Sequence, residues 1–197
     1  MKDGRPLVAW DVDDVLNDLT RCWFDRWRSE FPGITFEMLR ENPPDRILGI
    51  SRAEYLESLD RFRHEAYDSL KPRPEVMAFL KRYGESFRHM AVTAAPRRFA
   101  AVSAAWVMEH FGDWIRCFEL VPSPRADRPV PVYEREKGEV LVGFRGKIIL
   151  VDDSPKNLAS ARTAGCAALA FPAPWNEAGG RSGEEILSEL LNWKSAE

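Results

Sequence analysis

Carboxylates are paired at two places in this chain, each directly after a short apolar segment. Asp11 and Asp13 follow LVAW, with Asp14 beside them, and Asp152 and Asp153 follow IILV. Asp11 and Asp13 share one face of an extended chain because side chains alternate along a strand. Like charges this close repel each other, and a bound divalent cation relieves the repulsion. The two pairs therefore indicate a site for a divalent cation.

A threonine forms the third group. Thr93 ends the segment HMAVT, and the backbone amide of Ala94 follows it. Each group alone has an ordinary explanation: a solvated acidic turn, a helix N-terminus that favours acids, or a threonine at a strand end. Taken together, three strand ends carry DxD, Thr and DD in that order along the chain. Packing alone rarely produces that combination.

Five apolar segments predict the strands that hold these groups: LVAWDV, FRHMAVT, IRCFELV, KIILVDD and AALAF. From residue 72 onward, strands alternate with helices, which is typical of βαβ units and a parallel sheet. We predict an α/β fold, a Rossmann-like three-layer sandwich with a central parallel sheet. Ligands bind beyond the carboxyl ends of such strands, so the three groups should meet at one edge.

The stretch from about residue 17 to 71 is predicted to be helical and contains no convincing strand. Leu16 to Phe31 show helical spacing of apolar residues, and Ser51 with Glu54 forms a capping box before a second helix. We predict a core made of 1–16 and 72–197, with 17–71 as a helical cap. Ser154 is expected to cap the helix that begins at Pro155. The Pro-rich stretch 122–132 is predicted to be irregular.

These motifs resemble the haloacid dehalogenase (HAD) superfamily. LVAWDVDDVL, MAVT, a lysine and IILVDDSP appear in the order of that signature. The early helical segment corresponds to a C1-type cap, and PRPEVMAFL with Pro174-Trp175-Asn176 is similar to the 5′(3′)-deoxyribonucleotidase branch. Response-regulator receivers use similar residues, but their double acid precedes the threonine, so the order here excludes them.

The resemblance implies a phosphomonoester hydrolase that forms an aspartyl-phosphate. Asp11 would be the nucleophile. Asp13 would protonate the leaving group and then accept a proton from water. The Thr93 hydroxyl and the Ala94 amide would hold a phosphoryl oxygen.

The implied cofactor is Mg²⁺, a hard cation that binds oxygen ligands. Its ligands would be the Asp11 carboxylate, the backbone carbonyl of Asp13 and the Asp153 carboxylate. Asp152 would bind either directly or through water.

The catalytic lysine has two candidates. Lys137 opens the helix before the last acidic strand, and Lys147 immediately precedes that strand. We expect Lys137, because Lys147 would lie at the far end of the strand from its acids. Asp14 and Arg97 complete the set of positions expected to contact substrate.

The resemblance favours a nucleoside monophosphate as substrate, with Trp23, Phe24 and Trp27 as candidates for base stacking or, alternatively, for packing between cap and core. Arg61, Arg63 and His64 are expected to form a solvated helix face. Three alternatives stay open: a phosphatase of another small metabolite, a phosphotransferase or phosphomutase, and a non-catalytic phosphate-binding domain.

Composition limits the partners. The net charge of −3 predicts no nucleic-acid polymer as ligand, and no apolar stretch is long enough for a bilayer. Cys22, Cys117 and Cys166 are far apart, which favours buried reduced thiols over a disulfide framework or a zinc site. We expect a cytoplasmic enzyme that acts on a small phosphorylated molecule. The sequence does not indicate an oligomeric state.

Overall fold

The computed structural model describes residues 4–123, 133 and 135–195. Its described strands form one parallel sheet in the order β3-β2-β1-β4-β5. The strands are β1 Leu7–Trp10, β2 Arg88–Ala95, β3 Ile115–Pro122, β4 Ile148–Asp152 and β5 Ala167–Ala170. The central strand, β1, thus lies between the strands that end near Thr93 and at Asp152. The predicted α/β fold is confirmed.

Both faces of the sheet are covered, which explains why β1 and β4 are apolar at every position except the last of β4. Val8 and Trp10 pack in a cluster with residues of α3, α4, α5 and α8, while Leu7 and Ala9 pack in a second cluster with residues of α6 and α7. Alternate side chains of a strand point to opposite faces, so a strand buried on both sides needs a continuous apolar run. The helices are α1 Leu19–Trp27, α2 Asp45–Leu48, α3 Arg52–Ala66, α4 Pro74–Tyr83, α5 Ala100–Phe111, α6 Lys137–Leu141, α7 Pro155–Thr163 and α8 Gly183–Ser195.

The segment 17–71 contains α1, α2, α3 and short 3-10 turns, and none of its residues, all of which the structure describes, lies in a strand. Its two ends are adjacent, since the Arg73 amide donates to the Leu16 carbonyl at 2.9 Å. This geometry is what an insertion into a continuous core requires. Whether the segment behaves as a separate cap stays a prediction.

Several local predictions can be compared with the structure. The capping box of Ser51 and Glu54 is confirmed. The helix predicted to reach Phe31 ends at Trp27 and continues only as a 3-10 turn. The side chain of Ser154 does not cap α7, so that prediction was wrong; its amide instead donates to Asp152 Oδ1 at 2.9 Å.

Three further sequence expectations concern the surface and the loops. The cysteines are free, as predicted, but half-buried rather than buried. None of the described helices combines the length and apolar character needed to cross a membrane. Residues 124–132 of the Pro-rich stretch lie outside the described residues.

Candidate active site

The two acidic pairs meet at the carboxyl edge of the sheet. The Asp11 amide donates to the Val151 carbonyl at 2.9 Å, which places the end of β1 beside the end of β4. One carboxylate oxygen from each of Asp11, Asp152 and Asp153 lies within 4.8 Å of the other two. All three side chains are buried. The carboxylate of Asp13 is not part of this group.

Lys137 joins the nucleophile candidate to the second acidic pair. Its Nζ lies 2.6 Å from Asp11 Oδ1 and 2.7 Å from Asp152 Oδ2, and its side chain is fully buried. The other candidate, Lys147, lies at the opposite edge, where its carbonyl accepts a hydrogen bond from the Leu7 amide at the start of β1. Of the two lysines, only Lys137 is brought to the carboxylates.

Close packing of α6 against α7 positions Lys137. A Cβ on Gly138 would lie 2.4 Å from the Ser160 carbonyl oxygen, so only glycine fits there without displacement. The Gly138 amide also donates to Ser160 Oγ at 3.1 Å. From the preceding turn of α7, Asn157 Nδ2 donates to both oxygens of Asp152, at 3.0 and 3.2 Å. Helix α7 thereby orients the carboxylate that holds the lysine.

Asp153 is held by the residues that follow β5. Trp175 Nε1 donates to Asp153 Oδ2 at 2.7 Å. Asn176 Nδ2 donates to the Asp153 carbonyl and to the Phe171 carbonyl, both at 2.7 Å. The sequence marks Pro174-Trp175-Asn176 only as a motif of resemblance and predicts no role for its side chains. Its contacts show that it orients Asp153 and leaves Oδ1 without a hydrogen bond from any described residue.

Asp13 is contacted by side chains from the helical segment 17–71. Arg63 Nη2 donates to Asp13 Oδ2 at 2.8 Å, and the Tyr67 hydroxyl donates to Oδ1 at 2.8 Å. The expectation that Arg63 belongs to a solvated helix face was wrong, because its side chain is only 6% exposed. The position could have been read from the sequence: Arg63 is four residues after Leu59 and eight after Tyr55, on the apolar face of α3.

Asp14 is not the solvated turn acid that was its alternative role, and its predicted contact with substrate stays a prediction. It is buried, and its carboxylate accepts hydrogen bonds from the amide and the hydroxyl of Thr20. Its φ of 67° lies in the left-handed region, which glycine, asparagine and aspartate tolerate best. Burial raises the pKa of Asp14 to about 6, although the Thr20 hydrogen bonds oppose the rise. Asp14 thus stabilises the turn into α1, although it also lines the cleft.

Of the positions predicted to bind phosphate near the end of β2, Ala94 lines the cleft, whereas Thr93 and Arg97 are not among the described residues that line it. Thr93 is buried and pairs with Leu120 of β3, and Ala94 is exposed at the wall of the cleft. Arg97 lies in the 3-10 turn after β2 and is exposed, but it is not among the described residues that line the cleft. The structure therefore does not support Arg97 as a substrate contact.

The cleft over these residues measures about 450 Å³. Its walls combine Ala94 and Lys137 of the core with Tyr55, Leu59 and Arg63 of the helical segment.

The expected stacking surface is absent from this wall. Trp23 and Phe24 are buried in the core cluster, and Trp27 packs against it without lining the cleft. The alternative reading, packing between helical segment and core, is the one that the structure shows for them.

Burial dominates the electrostatics of the acidic group. It raises the pKa of Asp11 to about 7, against the opposing effect of Lys137. Burial and the neighbouring carboxylates also raise the pKa of Asp153 well above its usual value. Although burial opposes it, the charges of Asp11 and Asp152 raise the pKa of Lys137, so the ammonium group stays charged. Buried carboxylates that are costly to ionise are stabilised by a bound cation.

No family model and no curated protein matches this chain. Solved structures do share its fold, and HAD-superfamily hydrolases are among them. Protein Tyrosine Kinase A of Mycobacterium tuberculosis superposes with a TM-score of 0.64 at 14% identity, covering 96% of this chain and 99% of that chain. A haloacid dehalogenase-like hydrolase from Streptococcus pneumoniae gives 0.61 at 14% identity, over 95% and 97%. A subfamily IA HAD hydrolase from Geobacter sulfurreducens gives 0.52 at 16%, over 95% and 97%. At these identities the likeness shows the fold alone, which is HAD-like.

Proposed function

We propose that this chain is a Mg²⁺-dependent phosphomonoester hydrolase that works through an aspartyl-phosphate on Asp11. The observation that carries the proposal is the buried Lys137 ammonium between Asp11 and Asp152, next to a third carboxylate, Asp153. A site of this kind sets a nucleophile beside fixed positive charge, as phosphoryl transfer requires.

The donor set fits a hard divalent cation. Asp11 Oδ2 and Asp153 Oδ1 receive no hydrogen bond from any described residue, so both oxygens are available as ligands. Asp152 already accepts hydrogen bonds from Lys137, Ser154 and Asn157. We therefore propose direct binding by Asp11, Asp153 and the Asp13 carbonyl, with Asp152 acting through water. When bound, Mg²⁺ would neutralise charge between Asp11 and an anionic substrate.

The residues of the chain divide the chemistry between them. Asp11 attacks phosphorus, and Lys137 neutralises the phosphoryl oxygens that approach it. Asp13 gives a proton to the leaving oxygen and later takes one from the attacking water. The Thr93 hydroxyl and the Ala94 amide, at the end of β2, donate to a phosphoryl oxygen. Both parts of the chain wall the cleft, so a helical segment seated over bound substrate would limit the access of water.

The substrate proposal is a small phosphate ester, with the helical segment 17–71 as the cap that selects it. Arg52, Tyr55 and Leu59 of that segment line the cleft. A nucleoside monophosphate remains one arm of the test. Tyr55 is the aromatic side chain among the described lining residues, but its ring is 1% exposed and packs edge-on against Trp23, so it offers no open face to a base.

The test is phosphate release from p-nitrophenyl phosphate by the full chain, with Mg²⁺ or with excess chelator. We expect turnover that needs Mg²⁺, is inhibited by Ca²⁺ and is abolished by Asp11→Asn, with Asp113→Asn on the surface as the matched control. Full activity in chelator would remove the metal from the mechanism. A panel of nucleotides, sugar phosphates and small phosphorylated acids then ranks the substrates.

Transfer to an acceptor other than water is a second candidate, because one structural neighbour is named a protein tyrosine kinase. The same assay separates the two. Hydrolysis releases nitrophenol and phosphate in equal amounts, whereas transfer to an added alcohol releases more nitrophenol than phosphate. A chain that is folded but releases neither product would instead support the non-catalytic reading.

A further inference from the structure

The carboxylate of Asp13 is tied to the helical segment by several donors at once. Arg63 Nη2 lies 2.8 Å from Oδ2, and the Tyr67 hydroxyl lies 2.8 Å from Oδ1. Asn17 Nδ2 adds a longer contact to Oδ1, at 3.3 Å. The Asp13 side chain is 13% exposed and the Arg63 side chain 6%. Donors on both oxygens restrict the rotation of the carboxylate.

A second set of hydrogen bonds, through Asp60 to Arg98, holds the Arg63 guanidinium on the side away from Asp13. Its Nη1 donates to Asp60 Oδ1 at 3.1 Å, and the other oxygen of Asp60 accepts from Arg98 Nη2 at 2.7 Å. Arg98 lies in the 3-10 turn that follows β2. The chain of contacts Asp13–Arg63–Asp60–Arg98 therefore leaves the core at the end of β1, passes through α3 and returns to the core after β2.

Tyr67 provides a second link of the same kind. Its hydroxyl forms a hydrogen bond with Ser103 Oγ of α5 at 3.0 Å, as well as donating to Asp13. Tyr67 begins the 3-10 turn directly after α3. Both donors thus depend on the position of the C-terminal end of α3.

The Arg63 contacts are not the best arrangement for stability alone. Its Nε is buried without a hydrogen-bond partner among the described residues, which costs free energy. Buried ion pairs are in general weak stabilisers, because removing the charges from water offsets their attraction. Both Nη groups are already occupied by Asp13 and Asp60, which argues against Arg63 as the main ligand of a substrate phosphate.

We propose that Arg63 is a positioning residue that orients the Asp13 carboxylate and makes its orientation depend on the seating of α3 against the core. This inference rests on the proposed function, in which Asp13 exchanges protons with the leaving oxygen and with water. Small displacements of a reacting group are costly in rate, so the contact acts on kcat rather than on substrate binding.

The first experiment compares Arg63→Met with Arg63→Lys, using Arg61→Met on the exposed side of α3 as the matched control. We expect Arg63→Met to lower kcat by at least about tenfold while KM changes by less than about threefold. Arg63→Lys keeps one donor and should recover part of the loss. An unchanged kcat in folded Arg63→Met, or a loss that appears mainly in KM, would overturn the inference.

The second experiment is a double-mutant cycle with Asp13→Asn, measured on p-nitrophenyl phosphate, whose leaving group needs little protonation. If Arg63 acts through Asp13, Arg63→Met should change the residual kcat of Asp13→Asn by less than about twofold. Additive losses would contradict the inference, because they would mean that Arg63 acts on the substrate or on the fold.

Tyr67→Phe covers the case in which Arg63→Met does not fold, since it removes one hydroxyl and keeps the ring. We expect it to lower kcat by about threefold or more, again without effect in the Asp13→Asn background. Equal kcat for folded Tyr67→Phe and wild type would count against the inference. If the wild-type chain releases no phosphate, the proposed function itself fails. If the wild-type chain is active but these variants keep its kcat, only the inference about Arg63 fails.

Discussion

Gly138 lies so close to Ser160 that a Cβ would approach its carbonyl oxygen to 2.4 Å. This contact sets the distance between α6 and α7, and through it the reach of Lys137 to Asp11. We predict that Gly138→Ala lowers kcat/KM by about tenfold or more and also lowers the Tm, because overpacking shifts α6. Gly143→Ala is the control, since its nearest neighbour would lie at 3.3 Å. Kinetics and thermal melts of the two variants test this, and equal behaviour would contradict it.

The two lysines give a sharper contrast. Lys137→Ala should cost at least about a hundredfold in kcat/KM, on the order of 3 kcal/mol, since it removes the charge next to Asp11. Lys147→Ala should stay near wild type, because Lys147 lies at the opposite edge of the sheet. Steady-state kinetics on variants shown to be folded provide the comparison. A larger loss for Lys147→Ala would refute this assignment.

Asp14 should matter for the fold through its hydrogen bonds rather than its charge. Asp14→Ala is expected to destabilise by about 1–3 kcal/mol, because it loses the Thr20 contacts and places alanine at φ 67°. Asp14→Asn keeps an acceptor, tolerates that φ and removes a charge whose burial raises the pKa to about 6. Above pH 6 the asparagine variant should therefore be at least as stable as wild type. The free energy of unfolding of both variants, measured in urea at pH 8, tests this prediction. Equal destabilisation by the two substitutions would contradict it.

Metal binding should stabilise the protein more at high pH than at low pH. The pKa of Asp11, raised to about 7 by burial, lets the folded metal-free chain keep a proton that the unfolded chain loses near pH 4. Because the folded chain binds this proton more tightly than the unfolded chain, the free energy of unfolding falls as pH rises from about 4 to 7. Mg²⁺ needs the ionised carboxylate and offsets that loss. We expect the rise in Tm on adding Mg²⁺ to be larger at pH 8 than at pH 5.5. The reverse order would contradict the proposal that Asp11 binds Mg²⁺.

Trp175 offers a test of the proposed metal site in which no metal ligand is itself replaced. Its indole N–H donates to Asp153 Oδ2 at 2.7 Å, and Trp175→Phe removes only that donor and part of the ring. Residues that orient metal ligands typically contribute about 10- to 100-fold in affinity. We predict a loss of that size in Mg²⁺ affinity, measured from the Mg²⁺ dependence of activity. Trp193→Phe in α8 is the control, and an equal effect in both variants would assign the loss to general packing.

The sequence by itself determined the sheet and the place of the site. Segments that are apolar at nearly every position predict strands buried on both faces, and parallel strands present their carboxyl ends at one edge. The position of Asp11 and Asp152 at the ends of such strands was therefore enough to predict that they lie close together. Strand length argued against Lys147, since a strand carries its first residue far from its last, and the place of Lys137 at the start of the preceding helix favoured Lys137.

Only the tertiary structure decided which side chains surround those acids. Arg63 meets Asp13 across 50 positions of sequence, and Trp175 meets Asp153 across 22. Such contacts depend on how α3 and the loop after β5 pack, and no periodicity within one element encodes that. The same limit explains why the role of Trp23 and Phe24 was left open. Their helical spacing predicted an apolar face, but not whether that face packs in the core or lines the cleft. Spacing determines the direction of a side chain within its own element, whereas its partner depends on the arrangement of all the others.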